Sequence, residues 1–466
     1  MLNSGQCLHS RSVSDTQITN TMSQLLIING TIVTSESILK ADLAVEEGVI
    51  SKISHFNPSD FQDYQKIDAT DKYIFPGGID AHVHLQLPTP AGPSCDDFLS
   101  GSKAAIAGGT TYLIDFVTPS HGQPLKEALS LRLKESEKCL INCNLHMGIT
   151  WFDKSIPEQM EWCVKEAGIR SFKAYLAYKG TIGLEYSELE KVMETAASLD
   201  ATVLVHCEEG DLILRNQKEF ISHGKTAPLY HALSRPPESE SESVRKVIDL
   251  CRKTGCKTYI VHTSTAKSIE YIRSAKKEGL PLFCETCPQY LLLDESVYSK
   301  PLPDSLKYVI SPPIRSKADQ DALWTALADG TVDVISTDHC PFNTKGQKDV
   351  GINDFTKIPN GAGGIENRLA LLYTYGVLTQ KISLQQFVKL TATNAALIFG
   401  LYPRKGSISV GSYADLVIWN PEVKSIISVE NQMQKCDSNI YEGFWISGEA
   451  EYVILKGQIV RQVDTE

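Results

Sequence analysis

The chain has 466 residues, of which 42% are hydrophobic, and a formal net charge of -11. This length accommodates one large domain of about 300 residues and a smaller one. The acidic balance argues against nucleic acid as the main partner, and no apolar run approaches the roughly 18 to 20 residues that a membrane helix needs. The twelve cysteines are scattered, mostly inside hydrophobic runs, which predicts buried thiols in a reducing cytoplasm.

The chain begins with a polar segment, residues 1–22, that is rich in Ser and Thr. It lacks the apolar core of a secretory signal, so it is predicted to be a disordered extension. Short β segments follow, and Asn29-Gly30 and Glu47-Gly48 have the composition of tight turns between consecutive strands. The strands predicted in this region are Leu25–Gly30, Thr31–Thr34, Ala41–Gly48 and Val49–Ile53.

A similar β texture returns only near the other end of the chain, in Ala414–Trp419 and Tyr452–Val460. The simplest arrangement pairs the two ends into one small β-sandwich beside a large middle domain. The predicted domains are 23–74 with 405–466 for the sandwich and 75–404 for the middle.

In the middle of the chain, β-like runs alternate with segments of helical periodicity, which indicates parallel βα units. The helical segments include Tyr186–Leu199, Glu242–Thr254, Thr265–Glu278 and Lys317–Ala328. Eight alternations favour a (β/α)8 TIM barrel over an open doubly wound sheet, for which no dinucleotide glycine fingerprint or P-loop is found. The eight predicted strands are Ile79–His84, Thr111–Val117, Asn144–Ile149, Arg170–Tyr175, Thr202–His206, Thr258–His262, Pro281–Glu285 and Val332–Thr337.

Metal-binding side chains recur where the predicted barrel strands end, which is the face that carries the chemistry of such barrels. His82 and His84 lie two residues apart, so both imidazoles leave one face of the first strand and can bind one ion. Apolar runs also end in His206, His262 and Asp338. Each residue alone is more simply a structural one, but the repeated position favours a metal centre.

Two metal ions are predicted, because five such ligands overfill one tetrahedral zinc and leave no position for water. Two ions also need a bridging anion besides hydroxide, and Lys173 on the fourth strand is the candidate. A lysine that its surroundings neutralise can react with carbon dioxide to form a carbamate with two oxygens. Without that chemistry, Lys173 is an ordinary lysine with a buried stem and an exposed head.

Seven longer stretches carry a family resemblance. They are Gly-Gly-Ile-Asp-Ala-His-Val-His (77–84), Ser-Phe-Lys-Ala-Tyr-Leu-Ala-Tyr-Lys (171–179), Leu-Ser-Arg-Pro-Pro-Glu (233–238), Ile-Ser-Pro-Pro-Ile-Arg (310–315), Ser-Thr-Asp-His-Cys-Pro-Phe (336–342), Lys-Gly-Gln-Lys-Asp (345–349) and Asp-Phe-Thr-Lys-Ile-Pro-Asn-Gly (354–361). From about Leu25 to Val460 the chain resembles the dihydropyrimidinase and hydantoinase family of cyclic amidohydrolases. This resemblance implies a TIM barrel with an end-built β-sandwich, a homotetramer, and two zinc ions bridged by N6-carboxylated Lys173.

The resemblance also implies roles for individual residues in opening dihydropyrimidine or 5-substituted hydantoin rings by hydroxide attack. Asp338 would act as general base, and Tyr178 would donate a hydrogen bond to the developing oxyanion. Ser311 and Asn360 would hold the amide-imide edge of the ring through backbone groups. Otherwise Tyr178 packs the barrel mouth and the other two are loop residues. The implied metal ligands are His82, His84, Lys173, His206, His262 and Asp338.

Three alternatives remain open. A dihydroorotase is disfavoured, because Gln86 stands where such enzymes place an Arg for the substrate carboxylate, and an allantoinase ranks slightly higher. A non-enzymatic scaffold relative is disfavoured, because all six ligand positions are retained.

The Pro- and Gly-rich stretch 85–97 departs from the family pattern, so the preferred ring substituent is left open. The apolar stretch Tyr441–Val453 is a predicted subunit contact, and Cys284-x-x-Cys287 is predicted to be structural.

Overall fold

The computed structural model describes residues 24–463, so the predicted extension 1–22 lies outside the described residues. The strands are β1 (Leu25–Ile28), β2 (Thr31–Val33), β3 (Ile38–Lys40), β4 (Asp42–Glu46), β5 (Val49–Ser54), β6 (Gln65–Asp68), β7 (Tyr73–Pro76), β8 (Gly78–Val83), β9 (Thr110–Val117), β10 (Asn142–Ile149), β11 (Ser171–Tyr175), β12 (Thr202–His206), β13 (Lys257–Ile260), β14 (Leu282–Thr286), β15 (Val334–Ile335), β16 (Leu416–Ile426), β17 (Trp445–Leu455) and β18 (Gln458–Gln462).

The α-helices are α1 (Phe98–Ala107), α2 (Leu125–Ser136), α3 (Ile156–Lys165), α4 (Tyr186–Ser198), α5 (Gly210–Ser222), α6 (Leu229–Ser234), α7 (Pro237–Thr254), α8 (Ala266–Lys277), α9 (Pro288–Leu292), α10 (Lys317–Ala328), α11 (Arg368–Leu372), α12 (Leu384–Val388) and α13 (Asn394–Ile398). Two π-helical turns, Tyr373–Val377 and Lys389–Thr393, follow α11 and α12. Within residues 24–463, no helix is both long and apolar enough to cross a lipid bilayer.

Strands β8 to β15 form one parallel sheet in sequence order, with helices in the connections. The sheet closes through a parallel bridge between Val83 and His339, and the His84 N–H donates to the His339 carbonyl over 2.8 Å. The predicted (β/α)8 barrel is therefore confirmed. The four predicted helices also form, as α4, α7, α8 and α10.

Two apolar layers fix which strand residues face the barrel interior. On β12, Leu204 belongs to the interior cluster, whereas Val203 and Val205 pack outward against the helices. Because side chains alternate along a strand, His206 shares the inward face of Leu204. On β11, Phe172 packs outward and the alternation turns Lys173 inward. The hydrophobic pattern thus directs polar side chains into the mouth of the barrel.

The two chain ends form two further sheets that share one apolar core. One has the strand order β5-β4-β1-β6 and the other β18-β17-β16-β7-β2-β3. Side chains from both sheets meet in this core, including Leu25, Leu43, Ile74 and Leu416. The predicted β-sandwich from both chain ends is confirmed.

One of the two predicted tight turns in the sandwich is wrong. Glu47 and Gly48 have φ values of 51° and 77° and join β4 to β5 as an antiparallel pair, as predicted. At Asn29-Gly30 the chain instead leaves one sheet for the other, since β1 pairs with β4 and β6 while β2 pairs with β3 and β7. Asn29 has a φ of 64°, which redirects the chain without making a hairpin.

Candidate active site

A cavity of about 750 Å³ opens at the barrel mouth, where the strands end. Every residue predicted for the site contributes to its wall. These residues are His82, His84, Lys173, Tyr178, His206, His262, Ser311, Asp338 and Asn360. The fold therefore brings together side chains that are separated by up to 278 positions in sequence, from His82 to Asn360.

Local irregularities of the backbone turn His82, His84 and His262 toward the cavity. The pairing of β8 with β9 shifts register between Asp80 and Val83, which turns His82 and His84 inward, as bulges beside active sites often do. Strand β13 ends at Ile260, two residues earlier than predicted, and His262 has a φ of 36°. Strand alternation alone would direct His262 outward, so its left-handed backbone conformation is what places it in the cavity wall.

Three residues of the cavity wall, together with Gln86 two residues after His84, have this left-handed backbone conformation without being glycine. Gln86, Tyr178, His262 and Asp338 have φ values of 51°, 59°, 36° and 52°. Such conformations cost about 1 to 3 kcal/mol each and persist only where the surroundings impose them. The surrounding barrel therefore holds these side chains in fixed directions.

Three side chains form a compact group that could hold a metal ion. The ligand atoms of His82, His262 and Asp338 lie within 4.8 Å of one another. Asp338 Oδ1 is 3.2 Å from Nε2 of both His82 and His84. The ring of His206 lies beside this group, with its centroid 4.6 Å from that of His262. Burial lowers the pKa of His82, His206 and His262, which keeps these imidazoles neutral, as metal ligands must be.

Two buried carboxylates orient these histidines, and neither was predicted from the sequence as a site residue. Glu285 accepts a 2.7 Å hydrogen bond from His82 Nδ1 and a 3.0 Å bond from the backbone N–H of His262. Glu208 accepts from His206 Nε2 over 2.7 Å and from Arg235. A carboxylate that fixes one ring nitrogen directs the other nitrogen toward a metal. Glu285 is the last residue of the predicted strand Pro281–Glu285 and the second-last of β14, and Glu208 follows β12 by two residues, so the strand-end criterion could have found them.

Burial opposes ionisation of Glu208, but Arg235 and His206 outweigh it and lower the pKa of the carboxyl to about 2. The ionised carboxylate therefore persists beside His206 at neutral pH and holds the ring in one tautomer.

Lys173 is buried at the base of the cavity, with 1% of its surface exposed. Its Nζ has no hydrogen-bond partner within residues 24–463 and lies 5.1 Å from the ring centre of Phe116 and 5.2 Å from that of Tyr175. Burial lowers its pKa to about 8. The explanation of Lys173 as a lysine with an exposed head is therefore wrong. An unpaired, buried amine that is easily neutralised fits a group that carbon dioxide could modify.

Other polar residues near the site have structural partners. Asp80 accepts from the side chain and backbone N–H of Thr337, over 2.6 and 3.1 Å, and from the backbone of His82. His339 contacts Asp96 Oδ2 over 3.0 Å. Cys284 and Cys287 are fully buried, which agrees with the predicted structural role.

The amidohydrolase family model matches residues 73–460. A D-hydantoinase from Geobacillus stearothermophilus is 42% identical over 436 residues, which are 93% of this chain and 92% of that protein. A dihydropyrimidinase from Dictyostelium discoideum is 39% identical over 94% of this chain and 87% of its own length. The chain belongs to the amidohydrolase family.

Solved structures agree with this assignment. The crystal structure of dihydropyrimidinase from Brevibacillus agri matches with a TM-score of 0.92 and 39% identity, over 94% of this chain and 95% of that one. An L-hydantoinase from Arthrobacter aurescens matches with a TM-score of 0.85 at 25% identity, over 95% and 96%. The chain is a cyclic amidohydrolase of the hydantoinase and dihydropyrimidinase type, so the resemblance found in the sequence is confirmed.

Proposed function

We propose that this protein opens the cyclic amide ring of 5,6-dihydropyrimidines, 5-substituted hydantoins or both, and releases N-carbamoyl amino acids. One observation carries the proposal. Four imidazoles, the Asp338 carboxylate and the unpaired Lys173 amine converge on one cavity at the mouth of the barrel. This arrangement would hold metal ions beside a cavity that has enough space for a small ring.

Two Zn²⁺ ions per chain, bridged by N6-carboxylated Lys173, are the proposed cofactor. The neutral imidazoles and the buried amine fit such a centre, because carbon dioxide would convert the amine into a two-oxygen ligand. When bound, the ions lower the pKa of water toward neutrality and polarise an amide carbonyl. The residues proposed to hold them are His82, His84, Lys173, His206, His262 and Asp338.

The chain's own residues would move the protons and orient the ring. Burial opposes ionisation of Asp338, but His82 and His84 lower its pKa, so the carboxylate is available as a base. It would accept a proton from the attacking water and pass it to the ring nitrogen that leaves. Tyr178 would donate its hydroxyl proton in a hydrogen bond to the oxyanion. Ser311 and Asn360 would hold the ring through backbone groups.

The outer wall of the cavity supports substrates with uncharged, apolar ring substituents. It is lined by Leu87, Pro88, Pro90, Ala91, Ile182, Val350, Ile358 and Pro359. Besides Lys173, the only Lys or Arg among the described lining residues is Lys357, whose side chain is 69% exposed and 3.3 Å from Asp354. A substrate carboxylate would therefore lack a buried cation, which argues against dihydroorotate.

The free thiols of the described cysteines support a reducing, cytoplasmic location.

A substrate panel tests this proposal. Dihydrouracil, dihydrothymine, hydantoin, 5-substituted hydantoins, allantoin and dihydroorotate are each incubated with purified protein, and loss of the ring amide absorbance is followed. We expect turnover of the dihydropyrimidines or the 5-substituted hydantoins, and about two zinc ions per chain after growth in zinc. Turnover of dihydroorotate alone would contradict the substrate assignment. Less than one zinc per chain together with no ring opening would contradict the proposed function as a whole.

A further inference from the structure

Two buried, titratable side chains lie behind the substrate cavity without lining it. His231 on α6 is 2% exposed, and its Nε2 is 2.8 Å from the carbonyl oxygen of Ile310, to which it donates. Lys348 is 1% exposed, and its Nζ donates to the carbonyls of Val309 and Pro359 over 2.9 and 3.0 Å. Neither side chain belongs to the metal centre described above.

Each of these donors binds the carbonyl of a peptide bond that leads into a proposed substrate-binding residue. The Ile310 carbonyl shares its peptide plane with the N–H of Ser311, and the Pro359 carbonyl shares its plane with the N–H of Asn360. Both peptide bonds are trans, so the N–H points away from the carbonyl. Fixing the carbonyl on the side of His231 or Lys348 therefore fixes the N–H on the opposite side.

The amide N–H groups of Ser311 and Asn360 face away from these two donors. Neither Ser311 N nor Asn360 N has a hydrogen-bond partner within the described part of the chain, and both residues line the cavity. Val309 links the two segments, because its carbonyl also accepts from the N–H of Gly361 over 3.1 Å. Residues 309–311 and 359–361 are thereby held as one unit with two free donors.

We propose that His231 and Lys348 are positioning residues, which hold the N–H groups of Ser311 and Asn360 in the direction that binds the carbonyl oxygens of the substrate ring. This inference rests on the proposed function, in which these two residues bind the ring. Lys348 lies in the Lys-Gly-Gln-Lys-Asp stretch and His231 lies two residues before Leu-Ser-Arg-Pro-Pro-Glu, and neither side chain is a proposed metal ligand.

The surroundings of Lys348 argue against a purely structural ion pair. No carboxylate forms a salt bridge with it among residues 24–463, and burial lowers its pKa to about 7. A neutral amine keeps two N–H groups, which is enough for both carbonyls. The lysine can therefore hold both peptide planes whether or not it is charged.

Lys348→Met tests the inference, because methionine keeps the buried stem and removes the donors. We expect KM for dihydrouracil or a 5-substituted hydantoin to rise about tenfold with kcat within about threefold, the pattern of lost uniform binding. Zinc content should match that of the wild type. The matched control is Lys345→Met, an exposed lysine three residues earlier that should keep the wild-type KM.

His231 provides a second, independent pair of variants. His231→Leu removes the donor to Ile310 and should raise KM about tenfold, whereas His231→Gln retains an N–H donor and should raise it less than about threefold. A lower melting temperature with wild-type KM in both Lys348→Met and His231→Leu would show a structural role only and overturn the inference. If the wild-type protein opened no ring, the proposed function would fail, and the positioning role with it.

Discussion

At the scale of single residues, Lys173 is the position on which the proposed metal centre depends. Its buried Nζ has no hydrogen-bond partner among residues 24–463, and as a carbamate it would offer two oxygens to the proposed ions. We expect Lys173→Ala to bind less zinc and to lose about a thousandfold in kcat/KM, because metal catalysis contributes several kcal/mol and 1.4 kcal/mol is tenfold in rate. Metal analysis and kinetics of the purified variant measure both effects.

The control for this substitution is Lys165→Ala, which alters an exposed lysine paired with Glu161 on α3 and should keep wild-type kinetics. Added short carboxylic acids with zinc should restore part of the activity of Lys173→Ala, since they replace the missing oxygens. Wild-type turnover by Lys173→Ala would refute the bridging role.

Residue identity at strand ends could be predicted from the sequence, but backbone direction could not. An apolar run that ends in a histidine is visible in the letters at His206, and alternation predicts its direction correctly. At His262 the same reasoning fails. Its position in the cavity wall results from a φ of 36°, which cannot be predicted from the residue types around it. Glu208 and Glu285 also lie at strand ends, but a carboxylate that only supports a ligand is recognised once the fold shows which histidine it contacts.

At the scale of elements, we propose that the loop 85–97 selects the ring substituent. It contributes Leu87, Pro88, Thr89, Pro90 and Ala91 to the cavity wall. The loop is anchored by Ser94, whose hydroxyl donates to the His84 carbonyl and accepts from the Leu87 N–H, both over 2.9 Å. An apolar wall on an anchored loop favours apolar substituents.

Leu87→Gln tests the role of this wall. We expect kcat/KM for a 5-substituted hydantoin with an apolar group to fall about tenfold, and that for unsubstituted dihydrouracil to change less than about threefold, because apolar pocket contacts are worth about 1 to 3 kcal/mol. Steady-state kinetics on the two substrates measure the difference. Leu131→Gln, at a 57% exposed position on α2, is the control. Equal losses on both substrates would contradict a role in substituent selection.

The positions of strands and turns were predicted better than the pairing of the strands within the sheets. The strands of the sandwich were recognised from alternation, and the Glu47-Gly48 turn from its residues. Asn29-Gly30 has equally good turn residues but joins strands of different sheets, because pairing depends on which apolar faces meet in the shared core. That choice is made by residues far away in sequence, such as Ile74 and Leu416.

At the scale of the whole molecule, the predicted subunit contact requires a revision. Within the stretch Tyr441–Val453, Tyr441 and Val453 are fully buried in the chain's own core, so they are not available to a partner. Trp445 is 44% exposed and pairs across β16 and β17 with Ile426, which is 58% exposed. This exposed apolar pair is the part of the stretch that fits a subunit contact.

We propose a homotetramer, with a mass by light scattering of four times the 51.4 kDa chain mass. Trp445→Glu should shift the protein toward smaller species, because a buried interface tryptophan contributes about 2 kcal/mol or more. Leu378→Glu, at a 48% exposed position, is the control and should keep the wild-type mass. An unchanged mass for Trp445→Glu would exclude this surface as the contact.

The six-stranded sheet combines strands from both ends of the chain, which affects the order in which it can form during biosynthesis. Strand β7 lies between β2 and β16, so its second neighbour leaves the ribosome only after the whole barrel has been made. At about 5 to 20 residues per second, the interval between Pro76 and Leu416 lasts roughly 20 to 70 seconds. During this interval the edge of β7 that later pairs with β16 has no strand beside it. The sheet is complete only after β16, β17 and β18 have been synthesised.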